Sequence, residues 1–273
     1  FDLMGNFSSL CKYQDNYIIN ITVATLIIIG GLGFSSIKNM QENRWKFKKL
    51  NLHTKLVLIM TTSLIIFPTI IFYLIERNNP ATIGDLPFAK QILASVFQVV
   101  SPRTAGFNTI NLIDMNNSSK FLQIILMIIG GSPASTAGGL KTVTVAVIIL
   151  AVINQIKGNK NIEVFNRTIS YNILNRALII LSWCIFLIIA GTMIITLTDS
   201  SLSFMDVLYE VASAYATVGL SLGITTSLTN IAKIVIILIM FSGRVGSLTI
   251  LFAFFSNSTP KRYSCPEENV IVG

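Results

Sequence analysis

The chain has 273 residues, 20 Lys+Arg against 12 Asp+Glu, a formal charge of +8, 52% hydrophobic residues and 12% charged residues. Soluble domains carry about 25% charged residues, so this composition excludes an ordinary soluble domain and, more firmly, a disordered chain. The apolar residues lie in blocks long enough to cross a bilayer, which reads as a polytopic membrane protein whose positive charge calls for no nucleic acid.

In chain order, the first apolar run covers 17–37 and breaks at Gly30-Gly31-Leu32-Gly33. The second covers 56–75, after a basic stretch containing Arg44-Trp45-Lys46-Phe47-Lys48-Lys49. A short run at 88–100, too short to span, precedes Thr104-Ala105-Gly106-Phe107. The third run, 121–153, is too long for one crossing. As one straight helix it would reach roughly 50 Å, against a hydrocarbon core of about 30 Å. Its middle reads Gly130-Gly131-Ser132-Pro133-Ala134-Ser135-Thr136-Ala137-Gly138-Gly139, which no regular helix tolerates, so two half-helices with a loop at membrane depth are predicted. The fourth run covers 177–197, and a second short run at 202–215 precedes Thr217-Val218-Gly219-Leu220. The fifth, 231–255, is interrupted by Ser242-Gly243-Arg244-Val245-Gly246-Ser247. The two short runs read as re-entrant helices; a surface amphipathic helix is the alternative, and Lys90, Gln91 and Gln98 would suit it.

Five crossings put the termini on opposite sides. Twelve basic residues gather on one side, among them Lys38, Arg44, Lys46, Lys48, Lys49, Lys55 and Arg167, and six on the other, including Lys90, Arg103 and Lys120; Lys141 and Arg244 fall inside runs. The richer side is expected to be cytoplasmic, with the N-terminus outside and the C-terminus inside. Cys11, Cys184 and Cys265 then lie at different depths, and no disulfide within the chain is expected.

The two Thr-x-Gly sites head matching stretches. The spacing from Gly106 to the glycine break at Gly130 equals the spacing from Gly219 to the break at Gly243. The unit is span, short helix, Thr-x-Gly, broken span. Two copies are expected, about 45–157 and 158–262, with 1–44 the end of an earlier copy and 263–273 a cytoplasmic tail. The chain starts at Phe1, not Met, and reads as a fragment. Repeats of this kind place the functional site at their interface. A helix that dips halfway and ends in extended backbone exposes carbonyls, which hydrocarbon tolerates only along a water- or ion-filled path. Carbonyls and the negative end of a helix suit a dehydrated monovalent cation. Thr104 and Thr217 would add hydroxyl oxygens.

These residues also carry a resemblance. Ser101-Pro102-Arg103-Thr104-Ala105-Gly106-Phe107-Asn108-Thr109 resembles a filter segment of the Trk/Ktr/HKT potassium-transporter superfamily, the Ktr membrane subunit above all. The stretch from Ile129 through Gly130–Gly139 to Leu140-Lys141-Thr142 resembles that family's intramembrane gate loop. Ala216-Thr217-Val218-Gly219-Leu220-Ser221 resembles its last filter, Gly243-Arg244-Val245-Gly246 its last inner helix, and Phe1-Asp2-Leu3 the end of its second filter. The resemblance implies an all-α membrane protein of potassium-channel-like architecture: five membrane-crossing segments, one of them broken, and two pore helices. It implies four units around one pore, K⁺ as the transported ion, Arg244 as partner of the gate loop, a homodimer, and a cytosolic nucleotide-binding regulatory ring subunit. Na⁺ coupling stays open, as does Na⁺ against K⁺ permeation.

Single residues leave alternatives. Lys141 either serves the gate or snorkels to the inner surface, and Arg244 has five rigid donors suited to loop carbonyls. Ser132, Ser135, Thr136, Thr142 and Thr144 either satisfy loose backbone or are ordinary membrane-helix residues. Asp206 and Glu210 are assigned first to capping and outer-mouth hydrogen bonds, then to cation attraction. The basic loop 38–55 fits positive-inside topology; docking of a cytosolic partner or anionic membrane lipid is the sharper reading. His53 is the lone histidine, so no metal site is expected, and no cofactor or enzyme motif is present. The leading reading is a plasma-membrane potassium-uptake subunit. The alternatives are a non-conducting remnant of one, a Na⁺-permeable relative, or an unrelated transporter with broken helices.

Overall fold

The computed structural model describes residues 8–159 and 161–246. Readings that fall on 1–7, 160 or 247–273, including Phe1-Asp2-Leu3 and the end of the fifth run, lie outside the described residues.

Helix α1 (Tyr17–Leu32) starts where the Asn16 side chain accepts the Ile19 N–H at 3.2 Å, and it bends by 89° into α2 (Phe34–Glu42) at Gly33. Gly30 and Gly31 stay helical; the break is confined to Gly33, whose φ of 82° favours glycine. Helix α3 (Leu52–Glu76) has 25 residues and is capped by Asn51, which accepts the Thr54 N–H at 2.8 Å. At 1.5 Å per residue it spans about 37 Å, enough to cross. Helix α4 (Phe88–Val100) is short, and the third run is two helices, α5 (Asn117–Ile128) and α6 (Thr142–Ile156). A two-stranded hairpin, β1 (Ile162–Val164) and β2 (Arg167–Ile169), was not anticipated. It leads into α7 (Tyr171–Thr198), a second crossing helix of 28 residues. Helix α8 (Phe204–Tyr215) comes next, then α9 (Asn230–Val245). The helix runs through Ser242, Gly243 and Arg244 and ends at Val245, where Gly246 at φ 93° closes it inside the expected interruption 242–247; the continuation of the fifth run lies outside the described residues.

The protein is thus a mostly helical, membrane-type fold. Among the described residues, α3 and α7 are each long and apolar enough to cross, and α1–α2 is a bent pair. Their outer faces stay apolar and exposed, with Ile66, Phe67 and Ile70 on α3 and Phe186, Ile189 and Met193 on α7. Exposed apolar surface of this extent is the mark of a lipid-facing wall. The short helices sit inside it. Val99 of α4, Leu126 and Met127 of α5, and Tyr209 and Ala212 of α8 form one core. Val207, Val211 and Tyr215 of α8 pack with Cys184 and Ile188 of α7 and Ile239 of α9 in another. Helix order is the same in both halves: a long helix, a short buried helix, a Thr-x-Gly segment, then a returning helix.

Polar groups hold the two short helices together. Gln123 of α5 donates to the backbone carbonyl and to Oε1 of Gln98 on α4, both at 3.2 Å, and accepts from the Tyr209 hydroxyl of α8 at 2.6 Å. Gln98 is wholly buried, so it faces inward and does not mark a surface helix. Glu76, also wholly buried, accepts from Thr82 Oγ1 at 2.7 Å and from the Asn116 N–H at the start of α5 at 2.9 Å.

Candidate functional site: a carbonyl-lined cavity above a folded loop

Both Thr-x-Gly segments share a backbone signature. Thr104 and Gly106 have φ of 68° and 79°, Thr217 and Gly219 have 55° and 91°, and Ala105 and Val218 between them keep negative φ. Backbone that alternates hand in this way turns successive carbonyls towards one side. The amides point back to the helix ends: Ala105 N–H donates to Ser101 O at 3.1 Å and Val218 N–H to Ser213 O at 2.9 Å. Among the described residues, no hydrogen bond reaches the carbonyls of Thr104, Ala105, Gly106, Thr217, Val218 or Gly219. Gly106 and Val218 are buried, and a buried carbonyl without a donor is costly unless something else coordinates it.

The two segments meet. Thr104, Ala105 and Phe107 from the first line one cavity of about 490 Å³ with Thr217, Val218, Gly219 and Leu220 from the second. Gly106 is buried beside it. Among the described residues the lining holds one acid, Glu210, and no base, and the C-terminal end of α8 contributes Ser213 and Ala214. A negative helix end, hydroxyls, carbonyls and a carboxylate set a field suited to a cation. Glu210 accepts a hydrogen bond from Thr225, in line with its reading as a hydrogen-bonding residue, while Asp206 lies 3.9 Å from Lys120.

Below this cavity the loop between α5 and α6 is folded. Leu140 N–H bonds Ile128 O at 2.9 Å and Thr142 N–H bonds Gly131 O at 3.0 Å. Ser132 and Thr142 share a hydroxyl hydrogen bond of 2.9 Å, and Ser135 Oγ donates to Ser132 O at 2.6 Å. Lys141 curls back, and its ammonium donates to Ala137 O, so it ties the loop and does not snorkel. Gly138 lies against Thr217: a methyl there would collide with its hydroxyl. Gly130 approaches Thr104, and Pro133 packs on Gly33. Gly139 takes φ 65°, and Thr136 lines a second cavity of about 350 Å³ with Thr104 and Ala105. The loop therefore touches both segments.

Sequence reasoning missed the loop's main anchor. Ser132 N–H donates to Gly31 O at 2.9 Å, and Phe34 N–H donates to Ala134 O at 3.0 Å, so the α1–α2 bend supplies backbone partners. The glycines at 30–33 were the available signal. Arg244, the expected partner, is exposed at the end of α9 and makes no hydrogen bond among the described residues, although its charge reaches Lys141. Arg103, counted with the outer basic residues, is 3% exposed behind the first segment, and its guanidinium has Thr61 as its one hydrogen-bond partner among the described residues, at 3.4 Å.

Fold and cavity together define a helical, membrane-type protein in which two Thr-x-Gly segments line one cavity. The chain belongs to the TrkH cation transport protein family, whose sequence pattern matches residues 1–262, and this is a family of transporters, not enzymes. It is 36% identical over 265 residues to the Ktr system potassium uptake protein B of Bacillus subtilis, covering 97% of this chain and 59% of that protein. It is likewise 36% identical over 278 residues to the potassium/sodium uptake protein NtpJ of Enterococcus hirae, covering 100% of this chain and 61% of that protein. The crystal structure of the potassium transporter TrkH from Vibrio parahaemolyticus superimposes with a TM-score of 0.74 over 90% of this chain and 53% of that one, at 19% identity. The chain thus spans about three-fifths of the length of the curated relatives it matches.

Proposed function

We propose that this chain forms part of the pore of a potassium-uptake subunit of the Ktr kind in the plasma membrane. The carrying observation is the convergence of two Thr-x-Gly segments, alternating in backbone hand and with free carbonyls, on one cavity without a basic lining residue. In this reading Thr104–Phe107 and Thr217–Leu220 supply two sides of a carbonyl ring that replaces the ion's hydration shell. Two further segments of the same kind complete it, so that 1–44, 45–157 and 158–262 are the end of one pore unit and two whole ones. The loop from Gly130 to Lys141 is the gate: it crosses the path under both segments, held by Lys141, Ser132 and the α1–α2 bend. Arg244 is its regulatory neighbour, set by charge against Lys141. The basic residues around 38–55 lie inside in this reading, with the N-terminus outside and the C-terminus inside; the excess of basic residues on that side, twelve against six, supports it. The partners in this reading are a second copy of the subunit and a cytosolic nucleotide-binding ring.

The test is K⁺ uptake in a cell lacking its own uptake systems, with Gly106→Ser and Gly219→Ser in the complete transporter. Both glycines hold a left-handed φ, and a side chain there costs about 1–2 kcal/mol and turns the carbonyls. K⁺ uptake or K⁺ over Na⁺ preference is expected to fall about tenfold. Unchanged uptake and unchanged Na⁺ exclusion in both variants defeat the filter assignment.

A further inference from the structure

A polar pocket of about 510 Å³ lies at the start of α3, far along the chain from the filter segments, with Lys48, Lys49, Lys55 and Arg167 in its wall. We infer that it is a binding site for the phosphate group of an anionic membrane lipid. The inference rests on the proposed function only in placing this face at the inner leaflet.

Its cations have no carboxylate. Among the described residues the ion pairs are Lys38–Glu42, Lys90–Asp15 and Lys120–Asp206, and none involves these four; Glu163, on the neighbouring strand, pairs with none of them. Lys55 is held in position. Its ammonium sits 5.8 Å from the Phe47 ring centre and 5.5 Å from that of Phe165, and it donates to Lys48 O at 3.3 Å. That leaves two of its three donors free. The two rings meet edge to face at 6.4 Å. The hairpin turn carries a conformational cost for this arrangement: Phe165 is held at φ 50°, a left-handed value that a bulky residue seldom adopts. The Leu52 N–H at the first turn of α3 has no hydrogen bond among the described residues, so the helix end adds a positive field.

Position selects lipid over dissolved phosphate. Trp45, Phe47 and Phe165 are exposed, α3 and α7 start at Leu52 and Tyr171 beside the pocket, and the exposed apolar faces of these helices follow from Ile59 on α3 and from Tyr171 on α7. Aromatic side chains at the polar edge of an apolar belt mark the headgroup level. A phosphate from solution has no use for that rim.

Each basic group near an anionic surface contributes about fivefold in binding. The purified complete protein is placed in nanodiscs of phosphatidylcholine containing phosphatidylglycerol, and retained lipid is counted by native mass spectrometry. Phosphatidylglycerol is expected to be enriched over phosphatidylcholine, and Lys55→Gln with Arg167→Gln to reduce the enrichment roughly thirty-fold. Lys48→Gln with Lys49→Gln, on an exposed turn, reaches a like loss without disturbing α3 or the hairpin, and Lys55→Arg keeps the enrichment. A second arm adds inorganic phosphate, which is expected not to displace the lipid. Equal retention of both lipids, an unaffected glutamine variant, or displacement by inorganic phosphate each overturns the proposal. So does a glutamine variant that keeps its lipid but loses a co-purifying cytosolic protein, which assigns the pocket to protein docking. Lipid retention is read without transport, so failure of K⁺ uptake leaves this result standing, and the reverse.

Discussion

Gly130 and Gly243 occupy the same place in the two halves, each at the same distance beyond its Thr-x-Gly glycine, yet the chain treats them differently. At Gly130 the helix has ended and the backbone enters a loop; at Gly243 the helix continues to Val245. Both are pressed against backbone: a methyl on Gly130 would strike Gly138 O, and one on Gly243 would strike Tyr215 O at the end of α8. The glycine is therefore a matter of close approach beneath a short helix, and it does not by itself break the span. The difference belongs to the neighbouring residues, where one half has Gly131-Ser132-Pro133 and two further glycines at 138 and 139, and the other has Arg244-Val245 before its helix closes at Gly246. Proline removes a donor and clashes with the preceding turn.

Erasing this difference between the halves has the largest expected effect. Deleting residues 132–138 is expected to let α5 and α6 join into one helix and to clear the path. K⁺ flux in the complete transporter should rise about tenfold or more, equivalent to roughly 1.4 kcal/mol of barrier, and become independent of a cytosolic regulator. A correctly inserted deletion that carries K⁺ no faster than its parent rejects the gate. Next in size is Gly243→Ala. The methyl has no room against Tyr215 O, and overpacking of this kind costs about 1–3 kcal/mol, to be read as a lower melting temperature of the purified protein. If the melting temperature stays put, the shared packing role of the two glycines is lost. Lys141→Met probes the half that has the loop. It removes the tie to Ala137 O, which has no counterpart on α9, and is expected to loosen the loop by about 1.5 kcal/mol, seen as faster amide exchange at 132–139 with α9 unchanged. Exchange that stays as slow as in the parent assigns the loop's order to the α1–α2 bend alone.

The smallest effect is at the outer end of the second half. Desolvation pulls the Asp199 carboxyl up, but hydrogen bonds from the Thr229 and Thr198 hydroxyls and the Thr229 N–H, with Lys233 nearby, hold it below its ordinary 3.8. A carboxyl depressed in the folded state stabilises above the unfolded value and loses that contribution as pH falls through the folded one. The junction of α7 and α9 should therefore loosen below about pH 4, and Asp199→Asn should abolish this dependence. The group lies at the surface and is screened by solvent, so the change is expected to be slight; an identical acid profile in the variant refutes it.

Local signals were legible and distant ones were not. The bounds of α4 follow from the length of one apolar run, and the loop from four glycines and a proline, because both are properties of consecutive residues. In the interruption 242–247 the end of α9 falls at Gly246, whereas Gly243 stays helical, because the carbonyl of Tyr215 that demands it is out of view of its neighbours in sequence. Arg103 reads as one of the basic residues near a span end, but its burial and its contact with Thr61, 42 residues earlier, are properties that no neighbouring residue announces. The Gln98–Gln123–Tyr209 chain joins three helices, and nothing within any one of them announces it. The hairpin 162–169 is six strand residues around a turn that Asn166 suits and Phe165 does not.

The backbone pairing of the loop with the α1–α2 bend also orders events during synthesis. Ser132 finds its acceptor at Gly31 and Ala134 its donor at Phe34, both on chain that has already left the ribosome. The loop can therefore be satisfied as it enters the bilayer. Thr217, against which Gly138 rests, emerges only after α6, the hairpin, α7 and α8 have been made, a delay on the order of ten seconds at usual elongation rates. Through that interval the loop is folded on its earlier side and uncovered on its later one, a half-assembled intermediate that the arriving α8 must find and cap.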